Sequence, residues 1–179
     1  MGLKIVRATQ QKDRKEELEI LTRIGSSLLN WNGELVEARD RAKDMYSGFG
    51  GGTCSFLPDG RFLVEEEKEK ILSKLDSYKK ALLKAIDLFG SVPLEEEVDE
   101  FTRIVNKHKA EIKDELESGL MILERAINVC RDIDLSSTRT CRESSRKCYE
   151  LLEEVHKRVG PATAFIYTLM GELETGIIP

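Results

Sequence analysis

The hydrophobic positions of the chain recur at alternating steps of three and four residues over most of its length. In the first segment this stripe runs through residues 21–49, and charged residues fill the opposite positions. Such spacing places the apolar side chains on one face of an α-helix, close to the heptad spacing of coiled coils. The pattern predicts a first helix over residues 10–47, with residues 1–9 as an N-terminal arm.

Stripes of the same period predict helices over residues 65–89 and 94–132. A fourth helix follows the loop and cap at residues 135–138 and runs to about residue 159. The short connector after residue 90 makes the third helix antiparallel to the second. Gly160-Pro161 then interrupts the pattern, and residues 162–173 are apolar nearly all round. We expect this last segment to be a fifth helix, either central in the bundle or part of an interface.

One long interruption of the helical pattern covers residues 48–64. A glycine-rich stretch is followed by two apolar triplets on either side of Pro58-Asp59-Gly60. Proline presets φ and glycine accepts the left-handed position, so this sequence predicts a tight turn within a small β-hairpin. Connections this long in compact domains are often functional or disordered, and the alternative to a functional loop is a flexible linker with a local hairpin cap. We therefore expect a loop that binds a partner, formed by Phe49, Gly50, Gly51 and Gly52.

Together these elements predict an all-α fold, an antiparallel bundle of four to five long helices with a small β-hairpin in the first long connection. The 179 residues fit a single domain that spans residues 1–179. Charged residues make up 34% and hydrophobic residues 40% of the chain, which is typical of a folded helical protein rather than a disordered one.

Net charge and hydropathy argue against several partners and locations for the protein. The formal charge of −5 gives the molecule as a whole no attraction to nucleic acid or acidic lipid. No apolar run approaches the roughly 20 residues of a membrane span, and the N-terminus lacks the apolar core of a signal peptide. We expect a cytoplasmic protein with no membrane partner. Glutamine is rare while Glu, Lys and Arg abound, as in many heat-adapted proteins.

Four cysteines are present, namely Cys54, Cys130, Cys141 and Cys148. The last two are seven residues apart on a predicted helix, a rise of about 10 Å that exceeds the reach of a disulfide. No CxxC motif occurs, which argues against a zinc knuckle or a thioredoxin-type pair. We expect buried, reduced thiols.

Two short motifs make a metal site conceivable. Glu153-x-x-His156 places both side chains on one helix face, and His108-x-x-Glu111 has the same spacing in reverse order. Carboxylates and histidines that face each other across a helical bundle bind metal ions in di-iron proteins. The candidate ligands are therefore Glu153, His156, His108 and Glu111. The alternative is that chance produces the motifs, with His108 a hydrogen-bonded, partly buried histidine.

A second acidic pattern, Glu97-x-x-Glu100 and Glu111-x-x-Asp114, lies on the third predicted helix. These paired motifs are similar to those of the all-α nucleotide pyrophosphohydrolases, a resemblance that implies Mg²⁺-dependent cleavage of nucleoside triphosphates. In that family the two motifs belong to facing helices, whereas here they share one helix about 21 Å apart. Glu34-x-x-Glu37 on the first helix would have to supply the facing pair. A solvated acidic face is the alternative.

The clearest basic patch consists of Arg139, Arg142, Arg146 and Lys147. Its spacing suits a phosphate, an RNA backbone or an acidic partner. Glu143 and Glu150 dilute the patch, and no aromatic residue is interleaved for base stacking. Nucleic-acid binding is therefore possible but not favoured.

The sequence contains no P-loop, GxGxxG, GxSxG or HExxH motif, and we expect no cofactor. The interpretation we favour is a non-catalytic interaction or scaffold protein. It would bind a protein partner, or a second copy of itself, through long apolar helix faces. The alternatives are a metal-dependent nucleotide pyrophosphohydrolase and a nucleic-acid-binding accessory subunit.

Overall fold

A computed structural model describes the backbone of residues 2–179 and the side chains of residues 13–179. Its four α-helices are α1 (Gly2–Ser47), α2 (Arg61–Phe89), α3 (Glu100–Arg131) and α4 (Thr138–Thr175). The N-terminal arm expected at residues 1–9 is part of α1 from Gly2 onward. Met1 and the side chains of the arm lie outside the described part.

The helices form an antiparallel bundle in which each helix packs against two others, so that α1 contacts α2 and α4, and α3 contacts the same two. Ion pairs show the direction of packing. On α1 and α2, Arg41 pairs with Glu67 at 2.8 Å, while Glu34 pairs with Lys74 at 3.2 Å. From the first pair to the second, the residue number falls on α1 and rises on α2, so the two helices are antiparallel.

The predicted apolar stripes form the core. Leu21, Ile24, Leu35 and Met45 of α1 are completely buried, and the stripes of the other three helices face them. Burying a leucine or isoleucine side chain contributes about 1.5–3 kcal/mol relative to leaving it in water. Trp31 departs from the pattern, because it shares the phase of the stripe but is 41% exposed.

The predicted β-hairpin is wrong, since residues 2–179 contain no strand. Thr53–Phe56 forms a 3₁₀ turn, and residues 61–64 form the first turn of α2. Val64 lies seven residues before Ile71, and both are completely buried, so the second apolar triplet continues the helical period of α2. An isolated two-stranded hairpin is marginal in water, and extending the helix buries Val64 without one. The predicted turn at residues 58–60 is present.

Two boundaries also differ from the sequence prediction. α3 begins at Glu100, because Asp99 caps it in a reciprocal arrangement. The Thr102 amide donates to Asp99 Oδ1 at 2.8 Å, and the Asp99 amide donates to Thr102 Oγ1 at 3.2 Å. Pro161 lies within α4 and does not end it, so the expected fifth helix is the second half of α4. Ile166 and Leu169 are buried in the core of the same chain, Phe165 and Met170 are partly buried, and Tyr167 is 40% exposed.

The prediction of reduced cysteines is also wrong. Cys54 is bonded to Cys141 with 5.7 Å between Cα atoms, and Cys130 to Cys148 with 5.1 Å. The spacing argument excluded only the pair within one helix, and each true partner comes from a different element. Both bonds lie at the end of the bundle that carries the connection between α1 and α2.

Candidate functional site

The connection between α1 and α2, residues 48–60, folds over one end of the bundle beside the first turns of α4. We call this region the loop end. Its shape depends on three successive glycines with positive φ, at 73° for Gly50, 97° for Gly51 and 78° for Gly52. Residues with a side chain rarely adopt such angles, so the glycine cluster predicted from sequence is required by the path of the backbone.

Three contacts with α4 hold this loop in place. The disulfide joins Cys54 to Cys141, Arg142 Nη2 donates to the Gly51 carbonyl at 3.0 Å, and Thr138 Oγ1 donates to the Leu57 carbonyl at 3.3 Å. Beneath the loop, the chain passes so close to the last turn of α1 that a Cβ on Gly52 would lie 2.4 Å from two carbonyl oxygens. The loop is therefore an ordered cap rather than a flexible linker.

Phe49 projects from this cap with its side chain fully exposed. Phe56 and Phe62, in and just after the same connection, are also more than half exposed. Single exposed apolar residues are ordinary on protein surfaces, but three phenylalanines within fourteen residues are not. The cap thus presents aromatic side chains on a backbone that is already fixed.

The predicted basic patch lies beside the cap. Arg142 reaches the loop directly, and the Arg146 guanidinium lies over the ring of Tyr46 at 5.3 Å from its centroid. Arg139 pairs with Glu143 at 3.0 Å, with both side chains exposed. Lys147 is exposed and forms no ion pair within the part of the chain whose side chains are described. The structure therefore brings together two sets of residues that the sequence analysis treated separately.

A cluster of alternating cationic and aromatic side chains spans α1 and α4 next to this patch. Tyr46 and Tyr149 contact each other with ring centroids 5.9 Å apart, and Arg146 lies over the first ring. Lys43 Nζ lies 5.8 Å from the centroid of the second ring. We call Lys43, Tyr46, Arg146 and Tyr149 the cation–aromatic cluster.

Sequence reasoning missed three members of this cluster, Lys43, Tyr46 and Tyr149. The position of Tyr46 immediately before the glycine-rich loop was a usable signal. Its pairing with Tyr149, however, depends on the register between α1 and α4, which no local pattern reveals.

No family model, no curated protein and no solved structure matches this chain.

Among the described residues, no helix combines the length and the apolar character that a membrane crossing requires.

The predicted metal ligands do not come together. Glu153 accepts a hydrogen bond from Arg39 at 3.1 Å, Glu111 lies 3.8 Å from Lys107, and His108 Nδ1 lies 2.8 Å from Glu172 Oε2. His156 Nδ1 is buried without a hydrogen-bond partner. Across residues 13–179, no three His, Cys, Asp or Glu side chains are grouped so that they could hold a metal ion.

The carboxylates of the pyrophosphohydrolase-like pattern are engaged by cations or amides instead. Glu34 and Glu37 both contact Lys74, and hydrogen bonds from Lys74 and Arg41 lower the pKa of Glu37. On α3, Glu100 pairs with Arg103, which lowers the pKa of that carboxyl group. Glu97 accepts a hydrogen bond from Asn106 Nδ2 at 3.3 Å. These groups therefore form a charged outer surface within the described chain, not a converging Mg²⁺ site.

The opposite end of the bundle contains buried charges. Glu17 of α1 and Lys109 of α3 form an ion pair in which each side chain is only 3% exposed. Lys109 Nζ also donates to the Pro93 carbonyl at 2.6 Å, which fixes the connection between α2 and α3. Desolvation raises the pKa of Glu17, and the nearby ammonium group opposes that rise. Because the charges compensate each other, we assign this pair a structural role.

Proposed function

We propose that this protein is a non-catalytic binding module that engages a macromolecular partner through its loop end. The observation that supports the proposal is the convergence of Phe49 and the glycine-rich cap with Arg142 and Arg146 on one surface. Exposed aromatic groups and cations are effective binding groups when they are held in place before the partner arrives, because less conformational entropy is lost.

The long helix faces are less suitable binding surfaces than the sequence analysis supposed. Most of the apolar stripe of α4, up to Leu173, is covered by the other helices of the same chain, and Tyr167, at 40%, is its most exposed large side chain. The outer faces carry exposed ion pairs such as Lys80 with Asp76 and Lys113 with Glu117, and such pairs contribute little to association. The loop end is where exposed aromatic side chains and cations without carboxylate partners coincide.

The two disulfides bear on the cellular location. Disulfides are uncommon in the cytosol of mesophiles but occur inside the cells of hyperthermophiles. The abundance of Glu, Lys and Arg with only two glutamines is typical of heat-adapted proteins. We therefore propose the cytoplasm of a heat-adapted cell. Rapid alkylation of thiols in a separated cytoplasmic fraction, followed by mass spectrometry, would show the chain in that fraction with four unmodified cysteines if this is right. Four alkylated cysteines, or recovery of the chain only outside that fraction, would contradict it.

The binding proposal can be tested by photo-crosslinking from the loop end. Phe49 would be replaced by p-benzoylphenylalanine, and the protein irradiated in an extract of the cells that produce it. The matched control carries the same amino acid at Leu94, which is also exposed but lies in the connection between α2 and α3 at the opposite end.

We expect high-mass adducts from position 49 and few from position 94. Equal yields from both positions, or no adduct from position 49, would contradict the proposal. An adduct of twice the mass of the chain would identify the partner as a second copy of the protein.

A further inference from the structure

The chemistry of the loop end points to one class of partner. Three requirements can be read from it: the partner must be anionic, it must offer flat apolar surfaces to aromatic rings, and it must be linear. Each requirement rests on a different group of described residues.

The negative charge follows from the cations that lack carboxylate partners. Lys43, Arg142 and Arg146 are all exposed, and none forms an ion pair within the part of the chain whose side chains are described. Lys147 is exposed as well, but it lies about 100° further around α4 than Arg146. Arg41 and Arg103 are bound to glutamates, whereas Arg23 and Arg125 share the lack of an ion pair but lie away from the loop end. Although the whole chain carries a charge of −5, this surface retains positive charge that is not compensated by direct partners.

The flat surfaces follow from the rings among those cations. Tyr46 and Tyr149 are partly exposed between Lys43 and Arg146, and Phe49 is fully exposed three residues after Tyr46. Nucleobases stack on aromatic rings and on guanidinium planes, whereas an acidic peptide offers carboxylates but few groups that use a ring face. In the sequence of the basic patch, no aromatic residue lies between the cations. In the structure, Tyr46 of α1 lies against Arg146 and supplies an aromatic ring beside the patch.

The linear shape follows from the way the cations are arranged. On α4, Arg142 and Arg146 are four residues apart, which is about 6 Å of helix. Lys43 and Tyr46 continue the strip on α1, since the axes of packed helices lie about 8–10 Å apart. A bilayer would instead require a continuous apolar face, and here each tyrosine is flanked by a cation. A strip about 10 Å long with alternating charges and rings accommodates roughly three stacked nucleotides at 3.4 Å each.

We infer that the loop end binds single-stranded nucleic acid, with Lys43, Arg142 and Arg146 contacting phosphates while Phe49 and Tyr46 stack on bases. The inference rests on the proposed function and names the partner of the same surface. It predicts little dependence on base sequence, because every base has a face that can stack.

The test measures fluorescence anisotropy of a labelled 12-nucleotide oligouridine, and of the matching oligodeoxythymidine, as protein is added. Neutralising three phosphates of a single strand gives a slope of log Kd against log salt of about 2.1. Kd should therefore rise about 18-fold between 50 and 200 mM salt. A duplex of equal length should bind more weakly than either single strand, because its bases are not available for stacking.

Two variants separate the contribution of charge from that of stacking. In the Lys43→Gln/Arg146→Gln protein the salt slope should fall to about a third, so that Kd rises only about 2.6-fold over the same salt range. In the Phe49→Ala protein the slope should stay the same, while Kd increases at least fivefold at every salt concentration. The matched control is Arg103→Gln/Lys107→Gln, which removes two exposed charges at the other end of the bundle and should bind like the unmodified chain.

Three results would overturn the inference. The control pair could weaken binding as much as the loop-end pair does, or the duplex could bind as tightly as the single strands. The third is absence of oligonucleotide binding, with binding instead to phosphatidylserine-containing vesicles or to polyglutamate. If position 49 gives protein adducts that resist nuclease and no oligonucleotide binds, the nucleic-acid partner is rejected. The proposal that the loop end binds a macromolecular partner is then retained.

Discussion

Gly52 illustrates at the scale of one residue how the cap depends on the absence of a side chain. Its φ of 78° is combined with a ψ of 175°, a region that residues with a Cβ rarely enter, and an added Cβ would contact the carbonyl oxygens of Asp44 and Met45 at 2.4 Å. We expect Gly52→Ala to lower the free energy of unfolding by roughly 2 kcal/mol or more, as measured by urea denaturation.

The matched control is Gly33→Ala in the exposed middle of α1, where no atom lies within 4 Å of the added carbon. It should raise the free energy of unfolding by about 0.5–1 kcal/mol, because alanine favours the helix. Equal effects of the two substitutions would show that the cap is not packed as described.

The ion pair between Glu17 and Lys109 gives a second prediction at this scale. Replacing Lys109 with methionine leaves a carboxylate buried without its cation, which costs about 3–5 kcal/mol of folding free energy. Adding Glu17→Leu to Lys109→Met should recover most of that loss. A double-mutant cycle by chemical denaturation measures the coupling, and two independent losses that simply add would contradict the pairing.

The pH dependence of this variant has a definite sign. The pKa of Glu17 is raised in the folded chain, mainly by desolvation, and Lys109→Met removes the nearest group that lowers it. Glu17 of the variant then binds a proton more readily in the folded state than in the unfolded state. Its contribution to the free energy of unfolding is therefore fully present below the pKa that Glu17 has in the unfolded chain. That contribution is lost as the pH rises through the pKa of Glu17 in the folded state. Thermal unfolding should therefore show Lys109→Met approaching the unmodified protein as the pH falls from 7 towards 5.

At the scale of the elements, the disulfides join parts of the fold that are distant in sequence. Cys54 and Cys141 are 87 residues apart, and Cys130 and Cys148 are 18 apart. Loop-closure entropy gives about 4.5 kcal/mol for the longer loop and about 3 kcal/mol for the shorter one. We expect the Cys54→Ala/Cys141→Ala variant to unfold at a lower temperature than Cys130→Ala/Cys148→Ala. If the Cys130→Ala/Cys148→Ala variant unfolded at the lower temperature, the disulfides would not stabilise the fold mainly by reducing the entropy of the unfolded chain.

The elements also show what sequence reasoning could and could not predict. The stripes predicted the helices and most of the core, because a period of 3.6 residues is a local property. Residues 61–64 and Pro161 were misjudged because packing decides both. Val64 joins the core when α2 starts early, and the helix continues through Pro161 because its second half is buried by neighbours. Trp31 shows the converse, since its local phase is that of the core while its side chain remains 41% exposed.

The candidate site was predicted in parts but not as a whole. The glycine-rich loop around Phe49 and the arginines of α4 were both visible as local anomalies in composition. The contact of Arg142 with Gly51 joins residues that are 91 positions apart in the chain, and the contact of Arg146 with Tyr46 joins residues that are 100 positions apart. No period or motif encodes such contacts, and the same limitation concealed the pairing of the cysteines.

At the scale of the whole molecule, the acidic groups are distributed as ion pairs over the outside of the bundle. Glu37, Glu67 and Glu100 each contact an arginine, which competes with any metal ion for the same carboxylate. We therefore expect thermal unfolding to be unchanged by Mg²⁺, Mn²⁺ or a nucleoside triphosphate at millimolar concentration. A ligand present at 100 times its Kd would add about 2.7 kcal/mol, an upward shift of a few degrees. Such a shift in the presence of both metal and nucleotide would restore the hydrolase alternative.

The order of the cysteines along the chain has a consequence for proteolysis. The two bonded intervals, 54–141 and 130–148, overlap instead of lying side by side. Any single cut between residues 54 and 148 therefore falls inside at least one interval, so the two fragments stay covalently joined. A protease that nicks the connection between α2 and α3 would leave one band on a denaturing gel, and two bands would separate only after a thiol reductant is added.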